Sequence, residues 1–272
     1  MPETSHPGPV AEGTIRTLRH HSTVLGYTHD ISVYLPPRYD LSEQYPVTYT
    51  QDGLDYLNIA ELPVQLDRLI GEGRIVPTIV VMVAPPSFPD VNRSTEYGLN
   101  EKYIEFFTTE LVPYIESLYP AIISPAARLV MGDSYGGLIS LAIALRHPEV
   151  FGDVASQSGY LSFQNQKLID EFAVAPHIPR KIALTIGSEE TNIGSDDLPP
   201  EEQDFLTPNR RLHEVLNSKG HDHFYHEFAG QHLWVNWKQH LGELIEYFWG
   251  VSTVPAAFRR ERDNFDGDAG GR

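Results

Sequence analysis

Apolar residues along the chain fall into short β-like runs separated by longer helical patterns. The continuous run IVVMV at residues 79–83 is typical of a strand that is buried on both faces of a parallel sheet. Similar short runs, bounded by Pro, Gly or polar residues, predict strands at residues 31–35, 47–50, 79–83, 129–131, 182–186 and 224–228.

Helical patterns lie between and after these strands. From Ile104 to Leu118, apolar residues recur at intervals of three and four, which predicts a helix with one apolar face and a kink at Pro113. Further helical patterns occur at residues 138–145, 202–218 and 235–248. Strands that alternate with helices predict an α/β fold, in which helices cover both faces of a mostly parallel sheet. Short connections between the first strands predict an antiparallel edge.

The segment ARLVMGDSYGGLIS at residues 127–140 contains a G-x-S-x-G motif centred on Ser134. An apolar strand precedes the motif and a buried helix follows it, which is the setting that a nucleophile elbow requires. Gly132 and Gly136 leave room for the tight turn, and the N–H of Tyr135 would point at an oxyanion. The motif predicts that Ser134 is a nucleophile. The alternative is a Gly-rich helix start in a non-catalytic protein.

A serine hydroxyl needs a general base near neutral pH, and the chain has twelve histidines. His232 lies in a short loop between the strand at residues 224–228 and the following helix, where the base of an α/β hydrolase is expected. We therefore predict His232 as the base, against the alternative of a solvated loop histidine.

The acid of the triad should follow a strand between the serine and the histidine. The loop GSEET follows the strand at residues 182–186, and Glu190 is the favoured acid, with Glu189 second. Asp196 and Asp197 lie further along and could fold back. A carboxylate at this place would orient the imidazole and stabilise its charged form.

A second oxyanion donor is expected after an early strand. The loop Gln51-Asp52-Gly53-Leu54 occupies that position, so we predict the N–H of Leu54, or alternatively of Gly53, as the donor. An Asp-Gly pair is also a common ordinary turn, and that reading stays open.

Three histidines form an H-x-H-x-x-H pattern that resembles a metal-binding motif: His221, His223 and His226. On a strand, however, the first two would face one way and the third the other. The pattern therefore favours polar positions on a half-exposed strand. We expect neither a metal site nor a cofactor.

Composition narrows the possible partners. The formal net charge of −17 argues against nucleic acid or an anionic membrane as a partner, and the absence of cysteine excludes disulfides and thiolate catalysis.

No apolar stretch of about 18 residues and no signal-like N-terminus are visible, so we expect a cytoplasmic protein. We expect one domain, with a loose arm at residues 1–13 and a disordered tail at residues 255–272. The oligomeric state is open, and a homo-oligomer is one alternative.

Several segments together resemble the enterochelin-esterase-like, or esterase D-like, esterases of the α/β-hydrolase superfamily. The matching stretches occur in the family's order across residues 30 to 240: VYLPPRYD, YPVTYTQDGLDYLN, NRSTEY, TELVPYIESLYP, MGDSYGGLIS, VASQSGYL, IGSEET and AGQHLWVNW. The resemblance implies an α/β-hydrolase fold without the large lid domain of lipases. It also implies the roles of Ser134, His232 and Glu190, although the family usually carries aspartate where this chain has Glu190.

The resemblance further places Arg93 and Tyr97 near the mouth of the active site, where Arg93 could contact the substrate or form a structural ion pair. Five aromatic residues are expected in the pocket, although each of them could instead lie in the core: Tyr56, Tyr97, Tyr135, Tyr160 and Trp234. Together these features predict a serine carboxylesterase that acts on a small or aromatic acyl ester through an acyl-enzyme. An acyltransferase with the same triad, or an inactive binding protein, are the alternatives.

Overall fold

The predicted strands join two further strands in an eight-stranded sheet. The computed structural model describes residues 11–255 and residue 258. The strands are β1 (Thr14–His21), β2 (Thr28–Leu35), β3 (Val47–Thr50), β4 (Ile79–Val83), β5 (Arg128–Asp133), β6 (Asp153–Gln157), β7 (Lys181–Gly187) and β8 (Phe224–Phe228).

The sheet has the order β1-β2-β4-β3-β5-β6-β7-β8. The pairs β1/β2 and β2/β4 are antiparallel, and all the other neighbours are parallel. The prediction of a mostly parallel sheet with an early antiparallel edge is therefore confirmed. Because β3, β5, β7 and β8 run in the same direction, the loops that follow them meet at one edge of the sheet.

Helices connect and cover the strands. They are α1 (Gly53–Asn58), α2 (Leu62–Gly71), α3 (Arg93–Tyr97), α4 (Glu101–Glu105), α5 (Val112–Leu118), α6 (Tyr135–Arg146), α7 (Phe163–Val174), α8 (Leu206–Ser218) and α9 (Trp234–Trp249). Two short 3₁₀ turns lie at Pro125–Ala127 and Pro200–Glu202. No helix in the described ranges is long and apolar enough to cross a membrane.

The predicted helix around Pro113 takes a different form from a simple kink. A π-helical turn, Phe106–Leu111, joins α4 to α5, and the Val112 N–H donates to the Phe107 carbonyl five residues earlier. Pro113 has no N–H, and in an uninterrupted α-helix its ring would clash with the carbonyl of Thr109. The wider turn before Pro113 accommodates it while the helical path continues to Leu118.

Two apolar clusters lie on opposite faces of the sheet, as alternating side chains require. In β5, Val130 belongs to the larger cluster, whereas Leu129 and Met131 belong to the other. Helix α6 is buried along nearly its whole length, so it packs centrally against the sheet and fixes the turn that precedes it. The predicted arm is described only from residue 11, and most of the predicted tail lies outside the described residues.

Candidate active site

Ser134 occupies the sharp turn between β5 and α6. Its φ of 52° and ψ of −119° lie in a region that residues with a side chain rarely adopt. A side chain on Gly132 would collide with the backbone of Gly136, so glycine at residue 132 permits the turn. The Ser134 N–H donates to the carbonyl of Gln157 at 2.9 Å, which ties the turn to the neighbouring strand. The turn places the hydroxyl at the carboxyl edge of the sheet.

His232 lies in the loop between β8 and α9, where it reaches both Ser134 and Glu190. Its Nε2 is 3.0 Å from the Ser134 Oγ, and its Nδ1 is 2.6 Å from Glu190 Oε2. An ionised carboxylate only accepts hydrogen bonds, so Nδ1 carries the proton in that contact and Nε2 is free to accept from the hydroxyl. This arrangement can move a proton from the serine to the imidazole.

Glu190, in the loop after β7, is only 1% exposed, and donors surround its carboxylate. Its second oxygen, Oε1, accepts from the Ser158 hydroxyl at 2.7 Å and from the Gly187 N–H at 2.9 Å. The indole N–H of Trp237 in turn donates to the Ser158 hydroxyl at 2.9 Å. Both oxygens of the buried carboxylate are thus satisfied, and its orientation toward His232 is fixed.

The other three acids weighed from the sequence lie elsewhere. Glu189 is exposed, and its backbone N–H donates to the Gly230 carbonyl. Asp196 is exposed, and Asp197 lines the cavity beside Ser134. Of the four acids, only Glu190 contacts the His232 ring within the described part of the chain.

Two backbone N–H groups start helices at this edge. Tyr135 is the first residue of α6, and Leu54 is the second residue of α1. The loop before α1 lies beside β5, since the Gln51 N–H donates to the Met131 carbonyl at 2.9 Å. N–H groups in the first turn of a helix have no partner within the helix, so those of Leu54 and Tyr135 can serve a negative oxygen.

Arg93 forms a structural ion pair, the second of the two possibilities raised for it. Its Nε and Nη2 donate to the two carboxylate oxygens of Asp52 at 2.6 and 2.8 Å. Nη2 also contacts the carbonyl and the carboxyl of Asp133, at 3.1 and 3.3 Å. The guanidinium therefore ties the loop after β3 to the turn before Ser134. Burial, followed by the nearby charge of Asp52, raises the pKa of Asp133 well above its usual range.

Sequence reasoning missed Asp52 and Asp133 as the partners of Arg93. Asp52 precedes Gly53 and Asp133 precedes Ser134, and neither carboxyl group was given a role in these two motifs. Their spacing from Arg93 along the chain gave no signal of contact. The only hint in the sequence was that Arg93 lies in one of the stretches that resemble the family, whereas Asp52 and Asp133 lie in two others.

Tyr97 was expected at the mouth of the site, and the structure corrects this. Its side chain is completely buried, and its hydroxyl accepts the Asp52 N–H at 3.1 Å. Tyr56 and Tyr160 are likewise buried. Tyr97 is the last residue of α3, and its ring packs in the larger apolar cluster, 5.4 Å from the ring of Tyr103, rather than facing solvent.

An open cavity of about 490 Å³ lies over Ser134. Tyr135 and Trp234 line it, as the sequence predicted for these two aromatic residues. Its remaining lining combines apolar and acidic side chains with the ion-pair and triad residues: Asp55, Arg93, Asp133, Ser134, Ile193, Ser195, Asp197, Leu198, His232, Leu233 and Trp237. The cavity is large enough for a small or aromatic ester.

Comparison with known proteins identifies the family of the chain. Residues 22–247 match the family described as "Putative esterase". An uncharacterized protein of Bacillus subtilis (strain 168), YjcH, is 30% identical over 83% of this chain and 93% of its own length. The iron(III) enterobactin esterase of Dickeya dadantii (strain 3937) is 26% identical over 77% of this chain, which spans 48% of that protein.

Solved structures share the fold at low sequence identity. A ferulic acid esterase superposes with a TM-score of 0.75 at 19% identity, over 88% of this chain and 98% of that one. The enterobactin esterase FES from Shigella flexneri gives a TM-score of 0.74 at 21% identity, over 88% of this chain and 60% of that one. The match to the family covers most of the chain, and the fold is that of these enzymes. The chain therefore belongs to this family of α/β-hydrolase-fold esterases.

Proposed function

We propose that the protein is a serine carboxylesterase in which Ser134 is the nucleophile, His232 the general base and Glu190 the orienting acid. The continuous chain of contacts from the Ser134 hydroxyl through the His232 ring to the Glu190 carboxylate carries this proposal. The same three residue types in this geometry recur in serine hydrolases of unrelated folds, which are recognised by geometry rather than by sequence position.

In the first half of the reaction, His232 Nε2 takes the Ser134 proton while Oγ attacks the ester carbonyl carbon. The carbonyl π electrons move to oxygen, which becomes a tetrahedral oxyanion. When the carbonyl re-forms, the C–O bond to the alcohol breaks and the imidazolium of His232 protonates the leaving alcohol. An acyl group then remains on Ser134, and water activated by the same imidazole releases it as a carboxylic acid.

The oxyanion would be stabilised by two backbone donors, the N–H groups of Tyr135 and Leu54. Such preorganised donors contribute about 10²–10³ in turnover each in comparable enzymes. The Arg93 ion pair supports this role, because it joins the loop that carries Leu54 to the turn that carries Tyr135. Arg93 is thus a positioning residue in the proposed mechanism.

The substrate is proposed to be an uncharged ester with a small or aromatic acyl group. Asp55 and Asp197 line the cavity beside the buried Asp133, whereas its one lining guanidinium is already engaged by Asp52 and Asp133. An anionic ester would meet this acidic lining and the overall charge of −17. Aromatic acyl groups are favoured by Tyr135 and Trp234 in the lining and by the similarity to ferulic acid and enterobactin esterases.

The proposal is tested by Ser134→Ala, with Ser140→Ala, in the helix that follows the turn, as the matched control. Hydrolysis of p-nitrophenyl acetate by Ser134→Ala should fall by about 10⁶ in kcat, as in other serine hydrolases that lose the nucleophile. Ser140→Ala should retain wild-type turnover. Substantial turnover by Ser134→Ala would show that another residue is the nucleophile. Product analysis with added alcohols should yield mainly the free acid, whereas mainly a new ester would indicate an acyltransferase.

A further inference from the structure

The three histidines of the H-x-H-x-x-H pattern point in different directions. The ring of His223 contacts that of His213 at 2.8 Å, and His221 Nε2 donates to the Pro179 carbonyl at 2.9 Å. His226 instead lies on the face of β8 that packs against α9, where its ring is 4.6 Å from that of His240. The pattern therefore does not form one site, but it leaves His226 beside a second histidine, His240, from the helix that follows β8.

A carboxylate completes this group. Glu243 follows His240 by almost one turn of α9, so both side chains lie on the same face of the helix. Glu243 Oε2 is 3.2 Å from His226 Nδ1. One ligand atom from each of the three residues can be chosen so that all three lie within 4.8 Å of one another. None of them belongs to the proposed triad or lines the cavity over Ser134.

We propose that His226, His240 and Glu243 bind a divalent transition metal ion, with Zn²⁺ as the preferred ion. Two imidazoles and one carboxylate suit Zn²⁺, whereas Ca²⁺ and Mg²⁺ prefer oxygen ligands alone. Ligand atoms bound at about 2.0–2.2 Å in a tetrahedral site lie about 3.4 Å apart, so the group must contract by rotation of its side chains. The Glu243 side chain is 58% exposed and free to make that rotation, and water can occupy the fourth position.

Such an ion would connect two elements that are otherwise joined by ring contacts. The strand β8 is at the edge of the sheet, and α9 packs against it through pairs such as Phe228 and His240, whose ring centroids are 4.5 Å apart. A metal held by both elements binds the folded chain and not the unfolded one, so it should raise thermal stability. No metal site was predicted from the sequence, because the histidines of the H-x-H-x-x-H pattern face two ways on a strand, and that pattern contains neither His240 nor Glu243.

The test uses the full chain without an affinity tag, titrated with ZnCl₂ by calorimetry and with CoCl₂ by visible absorption. Wild type should bind one equivalent of Zn²⁺, gain thermal stability, and show the intense visible bands of tetrahedral Co²⁺. Glu243→Gln, which changes an exposed side chain and should fold normally, is expected to lose affinity by about 100-fold, as is His240→Ala. His213→Gln removes a partly buried imidazole outside the site and should bind Zn²⁺ as wild type does. p-Nitrophenyl acetate turnover should be equal in all these metal-free proteins.

The proposal is overturned if wild type binds no Zn²⁺, or if Glu243→Gln and His240→Ala bind it as tightly as wild type. It is equally overturned if His213→Gln loses the same affinity, because the ion would then lie elsewhere. Because turnover is measured on the metal-free proteins, these outcomes do not depend on whether the proposed esterase mechanism holds.

Discussion

Two buried carboxyl groups lie on opposite sides of Ser134, and they differ in the partner that each one faces. Asp133, on the β3 side, contacts the guanidinium of Arg93. Glu190, on the β7 side, contacts the imidazole of His232. A guanidinium holds its charge at all accessible pH values, whereas an imidazole gains and loses a proton near neutral pH. Burial alone therefore does not identify a catalytic carboxylate, and its partner decides whether it orients a proton carrier or braces a loop.

Hydrogen bonding separates the two carboxyl groups as well. Glu190 accepts three hydrogen bonds, from His232, Ser158 and Gly187, so both of its oxygens have partners. Asp133 shares the one guanidinium with Asp52, and its Oδ1 has no hydrogen-bond partner among the described residues. The first environment fixes the orientation of the carboxylate beside the imidazole. The second favours a carboxyl that keeps its proton.

Of the substitutions around the two carboxyl groups, Glu190→Gln should have the largest effect. The amide keeps the size of the side chain but removes the charge and can favour the wrong tautomer of His232. We expect kcat for p-nitrophenyl acetate to fall by about 10³–10⁴, by analogy with the triad acid of serine proteases. Glu189→Gln, at the exposed neighbouring position, is the control and should remain within about twofold of wild type. Equal effects of the two substitutions would remove Glu190 from the mechanism.

Arg93→Ala tests the bracing role, and its main effect should be on the stability of the fold. It leaves Asp52 and Asp133 buried without their cation, and we expect the free energy of unfolding to fall by about 3 kcal/mol. Urea unfolding measures this loss. Arg19→Ala removes the exposed pair with Asp30 and should cost at most about 1 kcal/mol. A loss for Arg93→Ala as small as that of the control would contradict the bracing role.

Stability as a function of pH probes Asp133 itself. Because its pKa is raised in the folded state, the folded protein keeps a proton that the unfolded chain releases above its ordinary carboxyl pKa. The contribution of Asp133 to the free energy of unfolding is therefore present at low pH and is lost as pH rises from the ordinary value toward the raised one. Asp133→Asn should thus become more stable relative to wild type as the pH rises above the ordinary carboxyl pKa. Urea unfolding at several pH values should reveal this trend, and a constant difference would contradict the raised pKa.

The smallest expected effect concerns substrate charge. Asp197→Asn removes an exposed charge from the cavity lining, so the ratio of kcat/KM for an anionic aryl ester to that for a neutral one should rise about two- to fivefold at low salt. Asp30→Asn makes the same charge change away from the cavity and should leave the ratio near its wild-type value. An unchanged ratio in Asp197→Asn would remove this residue from charge selection.

Much of the fold could be predicted because its central strands are apolar and end in recognisable turns. Strands β3, β4 and β8 occupy the predicted residues. The strand β1 was missed because most of its residues are exposed and polar, as befits a sheet edge. The strand β6, with the sequence DVASQ, was missed because it is buried but has little apolar periodicity. Its position depends on neighbours that the local pattern does not contain.

The candidate site was predictable to the extent that its residues occupy set positions after strands. The loops of Ser134, Glu190 and His232 follow β5, β7 and β8, so topology brings them together. The contacts of Arg93 join the start of α3 to the loop after β3 and to the end of β5, and no local pattern encodes them. The sequence left the position of Tyr97 open for the same reason, since an aromatic residue in such a motif suits either a pocket or the core.

The most direct test of the central claim is to locate the covalent adduct of a fluorophosphonate probe by mass spectrometry. Wild-type protein should carry one adduct on the peptide that contains Ser134, at a rate that falls sharply in Glu190→Gln and hardly changes in Glu189→Gln. Ser134→Ala should carry none. An adduct on another residue, or labelling of Ser134→Ala at the wild-type rate, would contradict the assignment of Ser134 as the nucleophile.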